Sequence, residues 1–247
     1  MHRSPAFGRN ANSVNRRKSY SELSDYRRQV EEQLKILWTT TDAAARKAAD
    51  EWLTKFQSSY EAWAAGIALV ASGSTEDTKL FGATVLSTKL RSGGADSLPG
   101  EAAEHMLEAL LGQIKGRDPG RLRAQLARAS ASLVSEMGRQ IPHKLPNYPP
   151  TEKLLRSPAF ACLEAGAAIE VMSLIPDRGA FLSRAEVEAM QSLMVELLNH
   201  AYGGASWPAA IPAGCAPDPA DDPAAYRTAA LGCALAWAKL EDGQASK

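Results

Sequence analysis

From Asp25 onward, apolar residues recur at helical intervals. Val30, Leu34 and Leu37 stand at i, i+4 and i+7, which places them on one face of a helix. The run Thr39-Thr40-Thr41-Asp42 stops that helix, and Thr41 or Asp42 supplies a side-chain oxygen to cap the next. The second helix carries Ala45, Ala49, Trp52, Leu53 and Phe56 on one stripe, while Arg46, Lys47, Asp50, Glu51 and Lys55 form a solvated face. Two antiparallel helices joined by a few residues make an αα-hairpin. Trp52 and Leu53 are expected to pack between its two helices, as is Trp38 with Trp63 in the first two hairpins.

The pattern then repeats. A helix over roughly 61–71 leads through Gly73-Ser74-Thr75 to another over 76–91, where Thr75, Thr78, Glu76 and Asp77 suit a helix N-terminus. Gly93-Gly94 ends that pair. A third pair spans about 101–115 and 120–140, split by Gly116-Arg117-Asp118-Pro119. The four prolines of 142–150 require extended or turned backbone. Helical spacing returns over 160–174, closes at Pro176 and resumes from 183 to 202. The stretch 203–219 reads as a loop or flexible insert, and a last helix runs from Asp222-Pro223 to Leu240, before a short tail over 241–247. That last helix carries apolar residues around much of its circumference, so part of it is expected to lack a partner. Runs of alternating β-branched and aromatic residues are absent. Hairpins start near Asp25, Tyr60 and Gly100, a period of roughly 35–40 residues that falls in the range of helical repeats. The unequal, longer helices favour HEAT over TPR. The expected fold is all-α: an α-solenoid of about five HEAT-like antiparallel hairpins over 26–240. Its core is expected to include Leu34, Leu37, Trp52, Leu53, Phe56, Leu86, Leu126 and Leu133.

Composition narrows the function classes. Lysine plus arginine equals aspartate plus glutamate at 28 each, without the basic excess usual in a nucleic-acid binder. No apolar run approaches the roughly 18–20 residues that span a bilayer. The cysteines Cys162, Cys215 and Cys233 are odd in number and widely spaced, which fits three reduced thiols better than a disulfide scaffold or a zinc site. Residues 1–25 differ from the rest: five basic residues face two acidic ones amid Ser, Asn and Gly, the composition of a disordered extension. An Arg- and Ser-rich start also fits an organelle transit peptide, and Arg16-Arg17-Lys18-Ser19 has the form that basophilic kinases favour.

Candidate chemistry is sparse. None of His2, His105, His143 and His200 pairs with another ligand at i+3 or i+4, as a helical metal site needs. The sequence contains no nucleophile elbow, no phosphate-binding loop and no dinucleotide fingerprint. The expectation is a protein without catalytic residues, metal or cofactor, which works by binding.

Four stretches, in order, resemble the N-terminal domain of the importin-β family, and within it the transportin-SR branch of SR-protein import receptors. The run Ala48-Ala49-Asp50-Glu51-Trp52-Leu53-Thr54-Lys55-Phe56-Gln57 with Ala62-Trp63 is similar to an A-x-x-W-L-x-x-F/L-Q element followed by Ala-Trp. Phe81-Gly82-Ala83, Leu86, Lys89 and Leu90 are similar to an F-A-A-x-x-x-x-x-K-I stretch. Gln125-Leu126-Ala127, Ala129, Ala131, Leu133 and Met137 look like the second helix of the third hairpin, and Tyr226-Arg227 through Leu231-Gly232-Cys233 and Ala236-Trp237 resemble an R-C-L-G-S-W helix. With gaps, the similarity covers about 26–240.

The resemblance implies a nuclear import receptor, moving between nucleus and cytoplasm. Its first repeats would bind the small GTPase Ran in the GTP form. Its partners would include protein cargo, among it SR-type splicing factors, and nucleoporins, without membrane or direct nucleic-acid contact. The helices implied to meet Ran are about 42–57, 76–91 and 120–140. On 76–91, Phe81, Val85 and Thr88 form a second stripe beside Lys79, Ala83, Leu86 and Leu90, flanked by Lys79 and Lys89. Arg123 and Arg128 stand off the apolar face of the third helix. Lys79, Phe81, Val85, Lys89, Arg123 and Arg128 are therefore the candidate Ran contacts, although each charge also reads as part of a solvated helix face. The chain departs from the family in its two Pro-rich stretches and in stopping after about five hairpins, as a fragment or a complete short paralogue. Two other readings stay open: a HEAT scaffold that assembles proteins without Ran, and an organelle-targeted helical-repeat protein that binds RNA, against which the zero net charge counts.

Overall fold

Side-chain caps set where the helices begin. Asp42 accepts from Ala44 N at 2.8 Å, and Thr75 Oγ1 accepts from Thr78 N at 3.2 Å. Ser183 and Glu186 form a reciprocal capping box. Each satisfies backbone donors that the first helical turn leaves free. In the computed structural model of the chain, which describes residues 20–92, 100–140, 150–176, 182–218 and 222–244, these caps open three of ten α-helices. The helices are α1 (Tyr20–Thr39), α2 (Ala43–Ser58), α3 (Ala62–Ser72), α4 (Glu76–Arg91) and α5 (Gly100–Ile114), followed by α6 (Arg121–Gln140), α7 (Pro150–Arg156), α8 (Ala165–Leu174), α9 (Arg184–Gly203) and α10 (Pro223–Gln244). Among the described residues there is no strand, so the chain is all-helical.

The helices pack in two linked series. Helix α1 lies against α2 and α3, and α3 against α4 and α5. The second members of the pairs, α2, α4, α6, α8 and α10, each contact the next in turn. Apolar residues on two opposite faces of a helix are what such sandwiching requires. On α3 and α4, Ala62, Ala65, Leu69 and Val85 join a cluster with Val30, Leu34, Leu53 and Phe56 of the first pair. Trp63, Val70, Ala83, Leu86 and Leu90 face the other way, into a larger core that continues through Leu126, Leu133, Phe160 and Met172 to Trp237. Pairing is less regular at the fourth position, where the seven-residue α7 packs mainly on α6 and on a 3₁₀ turn at Phe160–Cys162.

Carboxylates tie neighbouring turns together. Glu31 accepts from Ser74 N at 3.0 Å and Glu164 from Gly116 N at 3.0 Å, while Glu108 accepts from Ala159 N at 3.1 Å. Each bond reaches across more than 40 residues and fixes a loop to the adjacent pair. The stretch after α9 is held in the same spirit. Gly204, at φ 68°, turns the chain out of the helix in the left-handed region that glycine tolerates. Ile211 and Cys215 are then buried, and Trp207 Nε1 donates to the Ile211 and Pro212 carbonyls.

Several sequence expectations change. Helix α1 begins at Tyr20, so 20–25 of the expected disordered stretch are helical, while residues 1–19 lie outside the described residues. Gly93-Gly94, the Pro-rich 141–149 with His143, and the tail 245–247 also lie outside them. Helix α7 was not foreseen, and α8 starts at Ala165 rather than 160, because Glu164 is extended (φ −70°, ψ 156°) and the chain ahead of it makes the 3₁₀ turn. Of the 203–219 stretch, 204–218 is a packed loop rather than an insert, since Trp207, Ile211 and Cys215 find core contacts. Of the expected core, Leu34, Leu53, Phe56, Leu86, Leu126 and Leu133 are buried. Leu37 and Trp52 are only half-buried at the edge of the first cluster, Trp52 stacking on Phe56 with centroids 5.4 Å apart. Trp38 is 52% exposed and packs between no helices.

Helices α3 and α4 approach closely. A Cβ on Gly82 would lie 2.7 Å from Leu69 Cβ and 2.9 Å from the Gly66 carbonyl oxygen. Helix propensity alone makes Gly→Ala stabilising by about 1 kcal/mol, whereas forcing a group into a packed core costs about 1–3 kcal/mol. The second effect wins at Gly82, because one of its obstacles is backbone. Gly82→Ala is expected to lower the unfolding midpoint in denaturant titration. Gly112→Ala on α5, where nothing lies within 4 Å, is expected to raise it.

Candidate functional site

Helices α6, α8 and α10, with the turn between α5 and α6, enclose an open groove of about 1030 Å³. Its floor is made of small and apolar residues, among them Ala167, Ile169, Ala229 and Gly232, and charged groups stand at its rim. Arg123 of α6 crosses to α8, where its Nε donates to Glu170 Oε2 at 2.9 Å, and its Nη1 reaches the Arg117 carbonyl at 3.1 Å. Arg117 in turn donates to the Gln113 carbonyl and side chain. Arg123 and Glu170 thus form an ion pair at the rim, while Arg117 and Glu164 are hydrogen-bonded to neutral groups of the fold. Tyr226 also lines it. Its hydroxyl is shielded from solvent without a hydrogen-bond partner, and burial pushes its pKa up to about 12.

The six candidate contact residues divide sharply. Val85 has no exposed surface and belongs to the cluster shared with α1 and α2. It is a core residue, because the second stripe of α4 faces the first pair. Phe81 is half-buried against that same cluster. Lys89 is 8% exposed, with its Nζ donating to the Ser59 carbonyl at 2.6 Å and the Gln57 carbonyl at 3.4 Å, 5.3 Å above the Trp63 ring. It serves the C-terminus of α2, where helix carbonyls lack partners. Arg123 is held in its ion pair, with a side chain only 12% exposed. Arg128 is exposed and donates to Gln125 Oε1 at 3.4 Å, while Lys79 is partly exposed. The structure therefore brings Arg123 alone of the six to the groove.

No known protein-family profile matches the chain, and no curated protein does.

The groove's other polar members escaped sequence reasoning. Glu170 is 47 residues from Arg123 and Glu164 is 48 from Gly116, so neither pairing leaves a local spacing signal. Tyr226 was legible as part of the last resembling motif, not as a member of a groove. Of the described histidines, His105 is exposed, and His200 Nδ1 lies 2.7 Å from the Ala205 carbonyl with its ring edge-on to Trp207 and Tyr226. Among the described residues, no three potential metal ligands come together.

Two buried charges are testable. Desolvation lowers the Lys89 pKa below its usual 10.5, partly opposed by Glu61. In the window between that lowered value and 10.5 the unfolded chain holds more protons, so stability rises with pH. Lys89→Met removes this group, and the stability of wild type relative to the variant should grow as pH rises toward 10.5 in urea titrations. Arg123→Ala and Glu170→Ala, with the double variant, are expected to show a coupling of about 0.5–3 kcal/mol, as residues in one ion pair do. Strict additivity in thermal unfolding would show the pair to contribute nothing.

Proposed function

We propose that the chain is an α-solenoid of HEAT-like hairpins that works by binding other proteins. The observation carrying this reading is the unbroken row of second helices, α2, α4, α6, α8 and α10, each packed on the next. Every inner member of that row is held on two sides, so its free side is ordered before a partner arrives. Such preorganisation lowers the cost of association. The groove of α6, α8 and α10 gives the row a recess lined by small and apolar residues, the kind of centre that protein interfaces bury.

The specific form implied by the sequence resemblance is a nucleocytoplasmic transport receptor, or its N-terminal part. It would bind Ran-GTP and carry protein cargo such as SR-type splicing factors past nucleoporins between cytoplasm and nucleus. Four ordered motifs support it, and Lys79, Phe81 and Arg128 keep some free surface. The second reading is a HEAT scaffold that assembles proteins without Ran. It is favoured by the burial of Val85 and Lys89 and by the Arg123–Glu170 pair, which together withdraw half of the candidate contacts.

A pull-down with Ran loaded with GTP or GDP separates the two. The receptor reading expects retention of the GTP form only, weakened when Arg128 and Lys79 are both changed to Glu. Equal retention of both forms, or of neither, leaves the scaffold.

A further inference from the structure

We propose that Cys162 and Cys215 are a peroxide-sensitive thiol pair that, when oxidised, fastens the loop after α9 to the turn before α8. The two cysteines end two short 3₁₀ turns, Phe160–Cys162 and Ala213–Cys215, which pack on one another although 50 residues of chain separate them. The packing is backbone against backbone. A Cβ on Gly214 would fall 2.3 Å from the Ala161 carbonyl oxygen, so only glycine permits the approach. The residue after Ala161 is Cys162, and the residue after Gly214 is Cys215. The Cys215 thiol donates to the Phe160 carbonyl at 3.2 Å, which holds its sulfur against the Cys162 turn. A disulfide needs Cα atoms within about 7 Å, a separation that turns in such contact can meet.

The two thiols are unequal in the way a sensor pair requires. Cys162 is exposed, whereas Cys215 has no exposed surface. Burial pushes the Cys215 thiol up to about 11, with the neighbouring Cys162 adding to the rise, so Cys215 stays protonated at neutral pH and is the later partner. The oxidant is a hydroperoxide such as hydrogen peroxide. The Cys162 sulfur attacks a peroxide oxygen; the O–O bond breaks, the departing hydroxide takes up the thiol proton as water, and Cys162 becomes a sulfenic acid. Cys215 sulfur then attacks the Cys162 sulfur. The S–O bond breaks, and the hydroxyl leaves as water with the Cys215 proton. Two thiols are thereby oxidised by two electrons, and one hydrogen peroxide is reduced to two waters. Cys233 is the internal control, buried on α10 with its thiol 3.3 Å from Met194 Sδ.

The bridge would join the segment that leads into α8 and lines the groove to the loop that precedes α10. Residues 163–170 run directly from Cys162 into α8, and the loop 204–218 leads to α10. Oxidation would therefore restrict the relative movement of α8 and α10 without adding a group to the groove itself.

The test uses the full chain, reduced, desalted and exposed to equimolar hydrogen peroxide. Thiols are then counted after denaturation, and peptides are mapped by mass spectrometry. The expected result is loss of two of the three thiols, a peptide linking 162 to 215, full reversal by dithiothreitol, and slower amide exchange in 204–218. Cys162→Ser, a change at an exposed position, should protect Cys215, and Cys233→Ser should leave the bridge unaffected. The proposal is overturned if Cys162 passes to sulfinic acid while Cys215 stays a thiol. It is equally overturned if Cys162 links two chains, or if no thiol is lost.

Discussion

Helix α6 must fit among α4, α5 and α8 at once, and the rest of the structure depends on that fit. From Leu126 to Met137 nearly every side chain is buried, and Arg128 alone is exposed. A helix enclosed on three sides can approach its neighbours at the usual spacing of about 8–10 Å only if some of its positions are small. Ala127, Ala129, Ser130, Ala131 and Ser132 meet that need, while Leu122, Leu126, Leu133, Val134 and Met137 supply the apolar area. The serines carry a cost: the Ser130 and Ser132 hydroxyls have no partner, a penalty of about 1–3 kcal/mol for each buried group. Ser135 avoids it by donating to the Ala131 and Ile175 carbonyls.

The same close packing settles which parts of the chain can meet a partner. Sandwiching between helix pairs consumes two faces of α3, α4 and α6, so residues that look like a free stripe on an isolated helix can face a neighbour instead. Val85 and Lys89 are the instances. What remains open is the free side of the second-helix row and the exposed side of α10, where Leu231 and Leu235 stand in solvent while Ala230, Cys233 and Trp237 turn inward. A binding role drawn from this fold rests on those surfaces and on the recess between α8 and α10, not on buried cations.

Long-range polar contacts give that recess its definition. Arg123 with Glu170, and Glu164 with the Gly116 amide, lock the start of α8 to the turn between α5 and α6. On the far side, Trp237 fixes α10 to α8 through its Nε1 bond to the Met172 carbonyl at 3.1 Å. The Arg123–Glu170 and Trp237–Met172 bonds have low exposure, and such bonds hold geometry better than surface charge pairs do.

Local pattern carried a great deal. The apolar intervals in Val30 and Leu34, the Asp42 and Thr75 caps and the Ser183 start are all short-range signals, read within one or two turns of chain, and the helices they announced are present. The same pattern could not say that α7 exists, since seven residues between prolines and a 3₁₀ turn are too few to display a helical period. Nor could it tell which of two apolar faces would be covered, or by what. Burial of Val85, the Lys89 bond to the end of α2, the Arg123–Glu170 pair and the meeting of the Cys162 and Cys215 turns each join residues 30 or more positions apart. Periodicity fixes which side of a helix is apolar, because that is decided within the helix. Only the tertiary structure decides which charges are exposed and which cysteines are neighbours, because that depends on how separate helices come to lie against one another.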